Sequence, residues 1–114
     1  MHYEVTFVTR PDMSKGDVQK LTDSLSKIVT DNGGTVVKTE YWGIRTLAYR
    51  IQKTNKGHYT MLGLTTPFPA LAELERNMSI NEDIIRTLTV RVDTMDETPT
   101  VMLQQKSGDS YEAA

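Results

Sequence analysis

Twice in the first 92 residues the apolar period switches from two to between three and four, and then back to two. From His2 to Thr9, Tyr3, Val5 and Phe7 alternate with His2, Glu4 and Thr6, which is the pattern of a strand with one buried face. Val18, Leu21, Leu25, Ile28 and Val29 then fall at helical spacing, with Gln19, Lys20, Asp23 and Lys27 on the opposite side. Arg10-Pro11-Asp12-Met13 separates the two patterns, and Ser14 or Asp12 supplies a helix N-cap. Asn32-Gly33-Gly34 provides the left-handed residue that ends the helix.

The second cycle starts at Thr35 with a long strand, which Lys53-Thr54-Asn55-Lys56-Gly57 turns back into a second β run from His58 to Thr66. Pro69 suits the first turn of a short helix with Ala70, Leu71, Leu74 and Met78 on one face. The last strand, Ile85 to Val92, separates Leu88, Val90 and Val92 from Thr87, Thr89 and Arg91, and its period alone leaves open which set meets the helices. Strand, helix, strand, strand, helix, strand with right-handed crossovers gives an α+β, ferredoxin-like βαββαβ fold. Such a fold is a four-stranded antiparallel sheet with both helices on one face, and its other face and hairpin are free to bind. Residues 1–92 form this domain, and 93–114 read as an acidic C-terminal tail rich in turn formers.

The residues offer no catalytic chemistry. The chain has no cysteine, which removes disulfides, thiolate metal sites and thiol nucleophiles. His2 and His58 share no spacing with carboxylates that would make a metal site or a dyad, and both read as solvated or strand-edge histidines. Gly33-Gly34 precedes a strand rather than a helix, so it is not a phosphate-cradling loop. Neither a cofactor nor a metal is expected. The N-terminus lacks a cationic lead into an apolar run, and no apolar run reaches membrane-spanning length.

Charge is distributed unevenly. Residues 1–92 hold 12 Lys and Arg against 10 Asp and Glu, whereas residues 93–114 hold one against five. Within the body, residues 40–59 carry Arg45, Arg50, Lys53 and Lys56 against Glu40 alone, together with the one tryptophan. Strict alternation there places Tyr41, Gly43, Arg45, Leu47, Tyr49 and Ile51 on one face and Trp42, Ile44, Thr46, Ala48 and Arg50 on the other. Cations interleaved with aromatics on a two-stranded arm suit a phosphate backbone, although composition alone fits a solvated turn equally well.

Trp42-Gly43-Ile44-Arg45, Leu47-Ala48-Tyr49 and Ile51, with Gly57 and Tyr59 beyond the turn, resemble the signature hairpin of the bacterial small-subunit ribosomal protein S6 family. Tyr3-Glu4-Val5, Ile84-Ile85-Arg86, Pro99 and Met102 extend the resemblance over nearly the whole chain. Thr46 and Arg50 depart from it, standing where many members have a second basic residue and a proline. The resemblance implies a non-enzymatic constituent of the small ribosomal subunit, in a cytoplasmic or organellar ribosome, that binds small-subunit ribosomal RNA together with ribosomal protein S18. Arg45, Lys53 and Lys56 are then the expected phosphate contacts, with Arg50 and His2 beside them and Arg86 and Arg91 added on the strength of the resemblance. Trp42, on the partner-facing side of the sheet, and Tyr49 are expected to meet the partner, while Val101, Met102 and Leu103 stand in a tail segment that either becomes ordered on the partner or folds back onto the domain's own core.

Three other readings share the topology, of which a small phosphatase ranks last, because it needs an anion-binding loop after the first strand and Arg10-Pro11-Asp12-Met13 offers only one cation and no glycine. RNA-recognition motifs stack bases on third-strand aromatics, but after Lys56-Gly57 this chain has His58-Tyr59-Thr60-Met61, and most of those aromatics are missing. A ferredoxin-like small-molecule-sensing module that dimerises through its open sheet face is the alternative from another functional class.

Overall fold

The computed structural model describes residues 1–48 and 54–100. The elements are β1 (His2–Thr9), α1 (Lys15–Asp31), β2 (Thr35–Ala48), β3 (Thr54–Thr65), α2 (Phe68–Ser79) and β4 (Ile84–Val92). They form one antiparallel sheet in the order β2-β3-β1-β4, as the sequence predicts. The second β run starts earlier than expected, at Thr54 rather than His58, because hairpin pairing continues out to Ala48 opposite Thr54.

Local signals account for the helices. Ser14 is the N-cap of α1, its hydroxyl accepting from the Asp17 N–H at 3.0 Å, and the helix buries Val18, Thr22, Leu25 and Val29. Pro67 caps α2 in extended conformation, and that helix buries Ala70, Leu71, Leu74 and Met78. Both stripes meet Tyr3, Val5 and Phe7 of β1 and Leu62 and Leu64 of β3 in a single core. Burial on this scale is the main term that holds a domain of this size together.

Register settles the faces of β4. Residues directly opposite one another share a face, so Thr87, Thr89 and Arg91, opposite Phe7, Val5 and Tyr3, lie on the helix side. Arg86, Leu88, Val90 and Val92 lie on the helix-free face, opposite Val8, Thr6, Glu4 and His2.

Candidate nucleic-acid interface

β1 stops at Thr9, which pairs with His58, so the hairpin beyond that rung has no third strand. Arg45 opposite Gly57, Thr46 opposite Lys56, Leu47 opposite Asn55 and Ala48 opposite Thr54 make a two-stranded arm that leaves the body. Gly57 sits at its base because the chain comes very close to β1 there. A Cβ on Gly57 would lie 2.3 Å from the Thr9 carbonyl oxygen and 2.7 Å from Val8 Cγ1.

The strict alternation expected along β2 does not survive Tyr41. The register shifts between Tyr41 and Gly43, and Gly43 has φ +88°, a left-handed conformation open to glycine. Tyr41 therefore pairs with Thr60 on the helix side, whereas Gly43 pairs with Tyr59 and Arg45 with Gly57 on the helix-free side. On the helix side Tyr41 Oη lies 2.7 Å from His58 Nδ1, and His58 Nε2 lies 2.8 Å from the Met13 carbonyl oxygen. His58 is buried, which corrects the reading of it as a solvated or strand-edge residue. It ties β2 and β3 to the loop before α1.

The expected RNA-contacting residues fall into two groups. At the arm end, Lys56 is exposed and Arg86 is exposed opposite Val8. Arg45 is only 7% exposed and donates from Nε to the Trp42 carbonyl at 2.9 Å. At the other end of β1, His2 is half-buried with Nδ1 2.9 Å from Thr65 Oγ1, and Arg91 is exposed on the helix-side face. Five residues of β1 separate the two groups, roughly 17 Å. Arg50, Lys53 and Tyr49 lie outside the described residues, as do Val101, Met102 and Leu103. A further cation near the arm end, Arg10, is already engaged, with Asp83 at 2.8 Å and Asp12 at 3.1 Å.

The helix-free face is less open than expected. Val8, Tyr59, Met61 and Glu40 on it are buried, and its exposed apolar surface is at the β4 edge, in Leu88 and Val90. Sequence reasoning missed Lys38 and Glu40 altogether. Glu40 is 3% exposed, yet it accepts from Trp42 Nε1 at 2.9 Å, from the Thr100 N–H at 2.9 Å and from Thr100 Oγ1 at 2.6 Å. Lys38 Nζ lies 3.9 Å from the same carboxylate and donates to the Thr98 carbonyl at 2.7 Å. Burial pushes the Glu40 carboxyl up, but the hydrogen bonds from Thr100 and Trp42 and the charge of Lys38 together outweigh it, leaving the group below its usual range. The described part of the segment after Asp93 reaches back across the sheet to β2. Trp42, half-buried, belongs to this cluster.

Among the described residues no group of three or more His, Cys, Asp or Glu is placed to hold a metal ion, and no helix is long and apolar enough to cross a membrane.

Comparison with known proteins gives one answer. The family model of ribosomal protein S6 matches residues 2–91. The small ribosomal subunit protein bS6 of Paramagnetospirillum magneticum is 51% identical over 107 residues, 94% of this chain and 74% of that protein. The bS6 of Rickettsia felis is 48% identical over 105 residues, covering 92% of this chain and 87% of its own length. The crystal structure of 30S ribosomal protein S6 from Thermotoga maritima superposes with a TM-score of 0.71 at 32% identity, covering 80% of this chain and 86% of that one.

Proposed function

The chain belongs to the ribosomal protein S6 family, non-enzymatic proteins of the small ribosomal subunit, and on that premise we propose that it docks on small-subunit ribosomal RNA through its β2–β3 arm, beside ribosomal protein S18. The observation that carries this reading is the arm itself. It extends past the end of β1, presents Lys56 to solvent and continues in sequence into Lys53 and Arg50. A two-stranded arm offers cations at fixed spacing to phosphates, which suits recognition of RNA shape rather than of base sequence.

Arg45 enters the proposal as a brace at the base of the arm, since its guanidinium is largely covered and bonded to the Trp42 carbonyl. Arg86 belongs to the arm-end RNA surface. His2 and Arg91, at the far end and on opposite faces of the sheet, are separate further contacts. Trp42, with Tyr49 and the Val101-Met102-Leu103 segment, belongs to the side that meets the protein partner.

Reconstitution on small-subunit ribosomal RNA, with and without S18, tests the proposal by backbone footprinting. Protected phosphates that lose protection when Lys53 and Lys56 are replaced by alanine are the expected result. Protections that survive that change would remove the arm from the interface. A free homodimer holding a small metabolite, with no ribosomal RNA bound on reconstitution, would favour the sensing module.

A further inference from the structure

β4 ends at Val92 on one edge of the sheet, and eight residues later Thr100 is hydrogen-bonded to Glu40 of β2 on the opposite edge. Between these points the chain crosses the helix-free face. Gly63 of β3 forms the floor of the crossing: a Cβ there would lie 2.7 Å from Met95 Sδ and 2.8 Å from Lys38 Cγ. An open hollow of about 440 Å³ remains beside it, lined by Glu4, Lys38, Met95 and Asp96 among others.

Residues 93, 94 and 96–99 are exposed, and only Met95 and Thr100 are half-buried. Thr98 and Thr100 make polar bonds from the segment to the sheet, with a lysine and a glutamate two positions apart on β2. The Asp96 carboxylate accepts the Thr98 N–H at 2.9 Å, so that bond stays within the segment.

We propose that residues 94–100 form a strap that opens from the helix-free face as a unit, without unfolding of the domain, and that Glu40 is its latch. A segment with few buried apolar groups and mostly solvent-facing backbone opens at a small fraction of the global unfolding free energy. A carboxylate that accepts both a backbone N–H and a hydroxyl from one residue concentrates the cost of opening at that residue. Opening frees the backbone at Gly63 and the Lys38–Glu40 pair together. Trp42 reports on the event, because its indole N–H is bonded to the same carboxylate oxygen as the Thr100 hydroxyl.

Amide exchange on the full chain, resolved by residue, tests this, with Trp42 emission as a second readout. In Glu40→Gln the shape is kept but the charge and one acceptor are removed, so the Thr100 amide is expected to exchange roughly tenfold faster or more, while Val5 and Phe7 in β1 hold their protection. Trp42 emission shifts to the red in the same variant. An unchanged Thr100 rate overturns the latch. Equal acceleration at Thr100 and Val5 overturns the independent strap, since the segment would then open only with the whole fold. Should Glu40→Gln fail to fold, Thr100→Val removes the hydroxyl at the outer end of the contact and keeps the β-branched shape. That variant is expected to raise Thr100 exchange about threefold or more, and an unaltered rate there overturns the proposal by itself.

Discussion

Tyr41 and His58 face each other across the β2–β3 hairpin, with Oη 2.7 Å from Nδ1 and the rings stacked at a centroid distance of 5.9 Å. The second ring nitrogen of His58 lies 2.8 Å from the Met13 carbonyl, which has no hydrogen to give, so Nε2 carries the proton. In the neutral ring Nδ1 then accepts from the tyrosine hydroxyl. Strand and loop partners 17 and 45 residues away are thereby fixed to one imidazole at the root of the arm.

Replacing His58 with leucine keeps the apolar bulk and leaves the Met13 carbonyl and the Tyr41 hydroxyl without their partner. Loss of about 1–3 kcal/mol is expected, because an orphaned buried polar group costs its desolvation. Tyr41→Phe removes one bond and orphans only Nδ1, so it should cost less. Denaturant midpoints of the two variants check the order, and a larger loss for Tyr41→Phe would contradict the arrangement.

Leu25 is 2% exposed and sits in the core between α1 and the sheet. Leu25→Ala is expected to lower stability by roughly 2–5 kcal/mol, the transfer term of the deleted methyls plus that of the cavity. Urea unfolding with an unchanged slope and a lower midpoint is the signature. The arm is untouched, so RNA affinity of the folded fraction should persist.

Gly57→Ala is predicted to destabilise by about 1–3 kcal/mol through overpacking. The close atom is backbone, the Thr9 carbonyl oxygen, and backbone at a paired strand end gives way less readily than a side-chain tip. Thermal unfolding of the variant checks the loss. A wild-type melting temperature would mean that β3 and β1 part more easily at that rung than their register implies.

The order and type of all six elements were legible in the sequence because periodicity is a local signal, and a dozen residues carry it whatever they pack against. Ser14, Gly33 and Pro69 mark boundaries for the same reason. The faces of β2 were not legible, since a bulge at Gly43 reverses the alternation and nothing in the sequence around a lone glycine distinguishes a bulge from a regular strand. Glu40 and His58 read as ordinary surface residues because the groups that satisfy them stand far off in the chain, at Thr100 and Met13. Lys56 is exposed and Arg45 buried, a difference set by a packing geometry that charge patterning does not see.

Replacing Lys53 and Lys56 together with alanine is expected to weaken RNA binding nearly uniformly across RNA sequence variants. Removal of each phosphate-binding cation should flatten the dependence of log affinity on log salt by about one unit, because fewer counterions are released. Filter binding over a salt series measures both quantities. Wild-type affinity with a wild-type slope would make the two lysines a solvated turn.

The Glu40 carboxylate gives the strap a dependence on acid that can be read in advance. Its group in the folded protein lies below the usual 4.5, with burial opposing the shift and the Thr100 and Trp42 hydrogen bonds and Lys38 producing it. A carboxylate with a depressed folded pKa contributes stability that is fully present above its unfolded pKa and is lost as pH falls through the folded one. Strap closure should therefore be constant from neutral pH down to about 5 and weaken below it. The charged groups around the latch are Lys38 on β2, Glu4 from β1 and Asp96 in the strap. Asp96 is also held low, by its hydrogen bonds from Thr98, so it titrates in the same acid window and leaves a residual slope. In Glu40→Gln that residual slope is all that remains. The gap between wild type and variant in Trp42 emission should thus be widest at neutral pH and close as wild type is acidified. A gap that stays constant from about pH 7 to about pH 3 would show that the charge on Glu40 contributes nothing to holding Thr100.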